Sequence, residues 1–162
     1  MTATNDRLVP YRTAIAPDWI DYNGHLRDAY YGLVFSSAID DVMDQLGLDA
    51  AYRGRTSCTL YTLEVHIHYL HEVNASDELL VRTSILDSDH KRIHARGVFQ
   101  CARIAEPVAV AEAMLLHVQQ GSTPASVPFP PQIEERLRTL REPDARTDAG
   151  LPHSRKIEIR RR

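Results

Sequence analysis

The sequence DYNGHLRDAYYGLVFSSAIDDVMDQLG, residues 21–47, joins a loop rich in turn-forming residues to one long helix. From Arg27 to Leu46, apolar side chains recur every three or four positions, which is the spacing of one helix face. Gly47 follows the last of them and is typical of a helix end. This face holds Tyr31, Val34, Phe35, Ala38, Ile39, Val42, Met43 and Leu46. We therefore expect a long central helix with one buried side.

The sequence beyond this helix has the period of β-strands. From Tyr61 to Tyr69, apolar and polar residues alternate, which predicts a long half-buried strand with its odd-numbered positions toward the helix. Three more strands are predicted over residues 79–86, 92–102 and 108–118, and a short extended segment over 8–15. Short turns between the later strands favour antiparallel pairing. The predicted fold class is α+β, with an antiparallel sheet of about five strands wrapped around the central helix.

The composition of the chain changes near residue 121. Residues 1–121 hold the elements described above and form the predicted globular domain, with a polar connection at 53–55. Residues 122–162 hold a Pro- and Ser-rich connector, a short helix over 132–141 and a basic C-terminal tail.

The overall composition excludes several classes of protein. The 162-residue chain is 43% hydrophobic and 25% charged, as ordinary globular proteins are. A net charge of −3 provides no positive field for nucleic acid or an anionic membrane. No apolar run approaches the ~20 residues of a membrane span, and residues 1–7 lack a secretory signal. With Cys58 and Cys101 as the only cysteines, we expect free thiols and a cytoplasmic location, one disulfide being the alternative.

Residues 21–31 resemble the motif of hotdog-fold acyl-CoA thioesterases of the 4-hydroxybenzoyl-CoA thioesterase type. The motif has an aspartate, an Asn-Gly-His step and an aromatic residue ten positions after the aspartate, matched here by Asp21, Gly24, His25 and Tyr31. Many members have Asn where Arg27 stands. The resemblance spans roughly residues 8–120, and its hotdog domain corresponds to 1–121. It implies hydrolysis of acyl-CoA without a metal or redox cofactor (CoA is part of the substrate), in a homodimer or dimer of dimers.

Three segments are similar to a narrower group, the thioesterases found with, or fused to, carnitine dehydrogenases. They are WIDYNGH (19–25), YTLEVHI (61–67) and MLLHV (114–118). This likeness implies betainyl-CoA, an intermediate of carnitine breakdown, as the substrate. A thioesterase for aromatic or medium-chain acyl-CoA is one alternative, and a non-catalytic acyl-CoA-binding hotdog module is another.

The loop before the helix holds the predicted catalytic residues. The resemblance implies that Asp21 acts as nucleophile or general base, and that Asn23 and His25 orient water or bind the thioester carbonyl. Gly24 lets the backbone pass close to substrate. Free amides of the first helical turn, near Asp28, can polarise the carbonyl. The alternative is that Asp21 and Asn23 only cap the helix.

Aromatic residues cluster around this loop and are candidates for substrate binding. They are Trp19, Tyr22, Tyr30 and Tyr31, together with Tyr61 on the strand. Aromatic faces attract quaternary ammonium groups, by about 0.5–2 kcal/mol for a good contact. Ordinary packing explains the same residues equally well.

The polar positions of the long strand are Glu64, His66 and His68. Imidazole and carboxylate can bind zinc or iron, but the resemblance calls for no metal and we predict none. Glu64 is a secondary candidate for general base, or for contact with a cationic acyl group. A β-bulge is what could turn it toward the helix.

The phosphates of CoA require basic residues near the entrance of the site. Arg53, Arg55, Lys91, Arg92 and Arg96 are available, and the alternative for each is a solvated surface charge. The basic tail is a further candidate.

Overall fold

The computed structural model describes residues 7–142, 150–154 and 157–159. A single turn of 3-10 helix, Pro17–Trp19, precedes the long helix. The helices are α1 (Asp28–Leu46), α2 (Ala50–Thr56) and α3 (Pro131–Leu140). The strands are β1 (Tyr11–Ala14), β2 (Cys58–Tyr69), β3 (Glu78–Ser88), β4 (Arg92–Cys101), β5 (Ile104–Gln119) and β6 (Ala125–Ser126).

The sheet is antiparallel and has the order β1-β3-β4-β5-β2, with β6 pairing to β5. Its concave side packs on α1, since the buried side chains of the helix and of alternate strand positions share one core cluster. The α+β class with five main strands around a long helix is confirmed.

Helix α1 begins and ends within one residue of its predicted limits. Its buried side chains are the eight that the apolar spacing predicted. Gly47 stops it with a φ of 85°, a left-handed conformation that favours glycine. The helix also approaches β4 closely at Gly97, where an added Cβ would lie 2.6 Å from the ring of Phe35. The glycine thus lets the sheet wrap tightly around the helix.

The polar connection predicted at residues 53–55 is wrong, because these residues belong to α2. The helix is capped by Asp49, whose carboxylate accepts a hydrogen bond from the N–H of Tyr52 at 2.7 Å. Tyr52 is buried, and its hydroxyl lies 2.9 Å from Nε2 of His117 on β5. One buried aromatic side chain therefore anchors a helix whose other residues are polar or small.

A β-bulge between Thr62 and Glu64 alters the alternation predicted for β2. On one side of it Thr62 lies opposite the core residue Leu115, and on the other side Val65 lies opposite Ala113. Tyr61 consequently faces away from α1, and Leu63 sits in the bulge, 51% exposed. The predicted packing of these two residues on the helix is wrong, whereas that of Ile67 and Tyr69 is right.

The segment after residue 121 packs on the same sheet and helix. β6 pairs with the end of β5, and the side chains of Phe129, Ile133, Leu137 and Leu140 join the main core. The predicted short helix is α3. The basic residues Arg155, Lys156 and 160–162 lie outside the described residues.

A buried ionic cluster lies on the outer face of the sheet, away from α1. His94, Arg96 and Glu112 are all at most 2% exposed. Nε2 of His94 lies 2.8 Å from Oε2 of Glu112, and Arg96 is paired with Glu112 in the strand register. Residues 152–154 and 157–159 cover the cluster, and the Ser154 N–H donates to Glu112. The solvated role considered for Arg96 is therefore wrong, because this segment excludes water from it.

Candidate active site

The loop that contains Asp21 is closed by its own backbone. Oδ1 of Asp21 accepts hydrogen bonds from the N–H groups of Asn23, at 2.8 Å, and His25, at 3.1 Å. The Asp21 N–H donates in turn to the carbonyl of His25 at 2.8 Å. Gly24 makes the tight turn possible with a φ of 83°. The carboxylate is thus fixed in position by backbone groups.

These hydrogen bonds also set the ionisation of the carboxylate. The backbone N–H of His25, helped by that of Asn23, holds the pKa of Asp21 below its ordinary value, although partial desolvation opposes this. The carboxylate is therefore ionised at neutral pH, as both a nucleophile and a general base must be.

Asp21 and Asn23 do not cap α1. The N-cap position is Arg27, and it makes no side-chain capping bond. Asn23 contributes its backbone N–H to the Asp21 carboxylate, and its side chain is exposed. The capping alternative is wrong, because the loop closes on itself at His25, two residues before the N-cap position.

The N-terminus of α1 presents a free backbone donor. The N–H of Ala29 is bound by the Asp28 side chain at 2.8 Å, and that of Tyr30 by the carbonyl of Arg27 at 3.0 Å. For the N–H of Asp28, residues 7–142 provide no acceptor. A carbonyl oxygen placed there would gain this hydrogen bond and the positive end of the helix dipole.

A pocket of about 280 Å³ opens beside this donor. One wall is formed by His25, Leu26, Asp28 and Tyr31, and the other by residues 69–72, which follow the end of β2. Asp21 is outside the lining, and the hydrogen bond from the His25 N–H connects it to the pocket edge. His25 reaches across the pocket mouth, where its Nε2 lies 3.3 Å from Oε2 of Glu72.

The predicted aromatic residues fall into three groups. Tyr31 is buried in the pocket wall, and its burial raises its pKa to about 12, so the hydroxyl stays neutral. Trp19 and Tyr30 stack on each other, with ring centroids 5.3 Å apart, outside the pocket lining. Tyr22 is 96% exposed. Of the predicted substrate-binding residues, Asp28 and Tyr31 therefore line the pocket.

The structure does not bring Glu64 to the other candidates. It lies opposite Met114 on the outer face of the sheet, because the bulge at Leu63 changes the face of the residues before it and leaves Glu64 turned away from α1 as the alternation predicted. The rings of His66 and His68 stack on the same face at 4.5 Å. In the described part of the chain, no group of three His, Cys, Asp or Glu side chains could hold a metal ion.

The second pocket wall, Tyr69 to Glu72, was not among the site residues predicted from the sequence. The alternation of β2 pointed Tyr69 toward the helix, and this signal could have placed its ring beside Tyr31. Glu72 gave no signal, because a single acidic residue after a strand is usually a solvated charge. Only the antiparallel path of β2 back along α1 brings it to the helix N-terminus.

Comparison with known proteins identifies the class. The model of the Thioesterase-like superfamily matches residues 15–137, and the chain belongs to this family of hotdog-fold thioester hydrolases. It is 42% identical over 135 residues to the betainyl-CoA thioesterase of Pseudomonas aeruginosa, covering 83% of this chain and 84% of that protein.

Two further relatives extend this result. The L-carnitine dehydrogenase/betainyl-CoA thioesterase of Rhizobium meliloti is 34% identical over 137 residues, which are 85% of this chain but 27% of that protein. A Staphylococcus aureus protein solved in complex with CoA superposes with a TM-score of 0.78 at 25% identity, covering 93% of this chain and 94% of that one.

No helix among the described residues has the length and apolarity to cross a bilayer.

Proposed function

We propose that the protein hydrolyses betainyl-CoA, with water, to betaine and free CoA. The observation that carries the proposal is an ionised carboxylate, Asp21, which the hydrogen bond from the His25 N–H connects to the edge of a small pocket with an acidic lining. The 42% identity to the betainyl-CoA thioesterase of Pseudomonas aeruginosa supports the same substrate.

The proposed chemistry uses two groups of this chain. Asp21 either attacks the thioester carbonyl or removes a proton from the attacking water. In both routes negative charge develops on the carbonyl oxygen, and the free N–H of Asp28 donates to it. The C–S bond then breaks, and the sulfur leaves as CoA thiolate and takes up a proton. When Asp21 is the base, the attacking water has already supplied the second oxygen of the product carboxylate. When Asp21 is the nucleophile, a water molecule then hydrolyses the acyl–Asp21 anhydride, which releases the carboxylate and regenerates Asp21. The reaction requires no metal or redox cofactor.

A thioesterase for aromatic or medium-chain acyl-CoA is the second candidate. Tyr31, Tyr69 and Leu70 give the pocket an apolar surface that such groups could contact. The carboxylates of Asp28 and Glu72 oppose this assignment, because they offer no favourable contact to an uncharged acyl group.

Release of CoA thiol from a panel of esters tests the proposal. We expect kcat/KM for betainyl-CoA to exceed that for acetyl-, benzoyl- and medium-chain CoA by at least about 10-fold, because favourable contact with one cationic group contributes a factor of this size. Preference for benzoyl-CoA would replace the substrate assignment. Tight CoA-ester binding without cleavage would instead favour the non-catalytic module.

We propose a homodimer formed through β2. In the described residues, β2 pairs with β5 on one side only, so its other edge has free backbone donors and acceptors. Leu63, Val65 and Tyr69 on this edge strand are 47–53% exposed. A long, apolar edge strand of this kind is a template for pairing with a second chain.

Sedimentation of Leu63→Lys tests this interface. Wild type should sediment with the mass of two chains, and the variant with that of one, because lysine on an edge strand opposes pairing. Val9→Lys is the matched control, since Val9 is 55% exposed but lies outside β2. A variant that stays dimeric would exclude this edge, and a wild-type mass of four chains would indicate the dimer of dimers.

We propose a cytoplasmic location. Cys58 and Cys101 are both buried free thiols, which fits a reducing compartment. The proposed substrate is an acyl-CoA, and no nucleic acid or membrane takes part in the proposed reaction.

A further inference from the structure

The charge of the pocket decides which end of an acyl-CoA it can accept. Asp28 and Glu72 contribute two carboxylates to its lining, and the described residues that line it include no Lys or Arg. The nucleotide half of CoA carries several phosphates, which these carboxylates would repel. The pocket is therefore suited to the acyl end of the substrate, and to an acyl group with positive charge.

Two tyrosine rings form a corner of this pocket. The centroids of Tyr31 and Tyr69 are 5.2 Å apart and their planes are 80° apart. Phe99 contacts the ring of Tyr31 from the core, and the Tyr69 hydroxyl donates to the carbonyl of Asp28 at 3.4 Å. The corner is thus held by the sheet on one side and by the helix on the other. Aromatic surfaces of this kind attract quaternary ammonium groups.

Glu72 is held at the open side of this corner. Nη2 of Arg103 donates to the Glu72 carbonyl at 2.9 Å and to Oδ2 of Asp77 at 2.8 Å, which fixes the backbone after β2. The side chain of Glu72 lies 3.3 Å from Nε2 of His25 and is 75% exposed. Its carboxylate can therefore turn toward a bound cation without breaking a buried contact.

On the basis of the proposed hydrolysis of betainyl-CoA, we propose that Tyr31, Tyr69 and Glu72 form the subsite for the trimethylammonium group. The rings contact the methyl groups, and the carboxylate supplies the counter-charge. Glu72 is then a specificity-determining residue, which favours a cationic acyl group over an uncharged one of the same shape. The small volume of the pocket, about 280 Å³, suits such a short acyl group.

A pair of matched substrates tests the subsite. Betainyl-CoA and 3,3-dimethylbutanoyl-CoA have the same shape, since a carbon atom replaces the charged nitrogen. We expect wild type to prefer the charged ester, and Glu72→Gln to lower the ratio of the two kcat/KM values by about 10-fold. Tyr69→Leu should lower the same ratio, whereas Tyr69→Phe, which keeps the aromatic ring, should keep most of the wild-type ratio.

The control variant is Glu134→Gln, which removes one exposed carboxylate on α3 and should leave the ratio as in wild type. An unchanged ratio in Glu72→Gln and Tyr69→Leu, with wild type still preferring betainyl-CoA, would overturn the subsite alone. Equal losses on both esters would also overturn it, since they indicate a structural role. If wild type does not prefer the charged ester, the proposed substrate fails together with the subsite.

Discussion

Asp21→Asn is expected to lower kcat for thioester hydrolysis by about 10³-fold, within the range that a lost general base costs. The amide oxygen of Asn can still accept the N–H bonds of Asn23 and His25, so the loop should keep its conformation. What the substitution removes is the negative charge that either attacks the carbonyl or activates water. The loss should therefore fall on kcat, with KM little changed.

Steady-state CoA release, with circular dichroism as a check on folding, measures this effect. Asp18→Asn is the matched control, because Asp18 lies in the adjacent 3-10 turn and makes no bond to the loop in the described structure. Because the pKa of Asp21 is lowered, wild-type kcat/KM should not fall through this group until the pH is below the ordinary titration range of an aspartate. A folded Asp21→Asn enzyme with full activity would contradict the assignment.

A single turnover in ¹⁸O-labelled water distinguishes the two roles of Asp21. If Asp21 is the nucleophile, an acyl–aspartate anhydride forms, and its hydrolysis can leave labelled oxygen in the Asp21 side chain. If Asp21 is the general base, the label enters only the released carboxylate. Mass spectrometry of the peptide that contains residue 21 measures the difference.

Glu112→Gln is expected to lower the free energy of unfolding by about 3–5 kcal/mol, the cost of breaking a buried ion pair. Glu112 is 1% exposed, its Oε2 lies 2.8 Å from Nε2 of His94, and Arg96 is its cross-strand neighbour on the outer face of the sheet. Glutamine can still accept from the Ser154 N–H, but it removes the buried negative charge that lies against His94 and beside Arg96.

Urea unfolding followed by circular dichroism measures this loss. The control is Glu135→Gln. Glu135 forms an ion pair with Arg138 in which both side chains are exposed, so no measurable change in the free energy of unfolding is expected. At urea concentrations below the unfolding transition, Glu112→Gln should keep the kcat/KM of wild type, because the buried cluster and the pocket lie on opposite faces of the sheet. A change in Glu112→Gln as small as in the control would contradict the buried ion pair.

The features that the sequence predicted are those with a local signal. The spacing of apolar residues specifies the buried face of α1 completely, and Gly47 marks its end. The alternation in β2 to β5 likewise specifies strands. Asp21, Gly24 and Tyr31 could be singled out because the loop and helix that carry them are contiguous in sequence.

The missed features depend on contacts between distant segments. The bulge in β2 exists because Thr62 and Glu64 both keep their register with β5, a pairing across some fifty residues. His94 and Arg96 alternate with core residues as solvated positions would, and among the described residues it is 152–154 and 157–159, distant in sequence, that cover them. Glu72 enters the pocket because β2 ends beside the start of α1.

The bulge at Leu63 has a consequence for the gene. The side chains of residues 60 and 62 lie on the same face of the sheet as those of 65, 67 and 69. The side chain of residue 61 lies on the opposite face, with those of 64, 66 and 68. After in-frame loss of codon 63, residues 62 and 64 would be neighbours on opposite faces, as regular alternation requires. Every remaining side chain of the strand would therefore keep its face of the sheet. Loss of one codon elsewhere in β2 would turn the side chains of part of the strand to the opposite face of the sheet. Length variation in this strand should therefore concentrate at one codon.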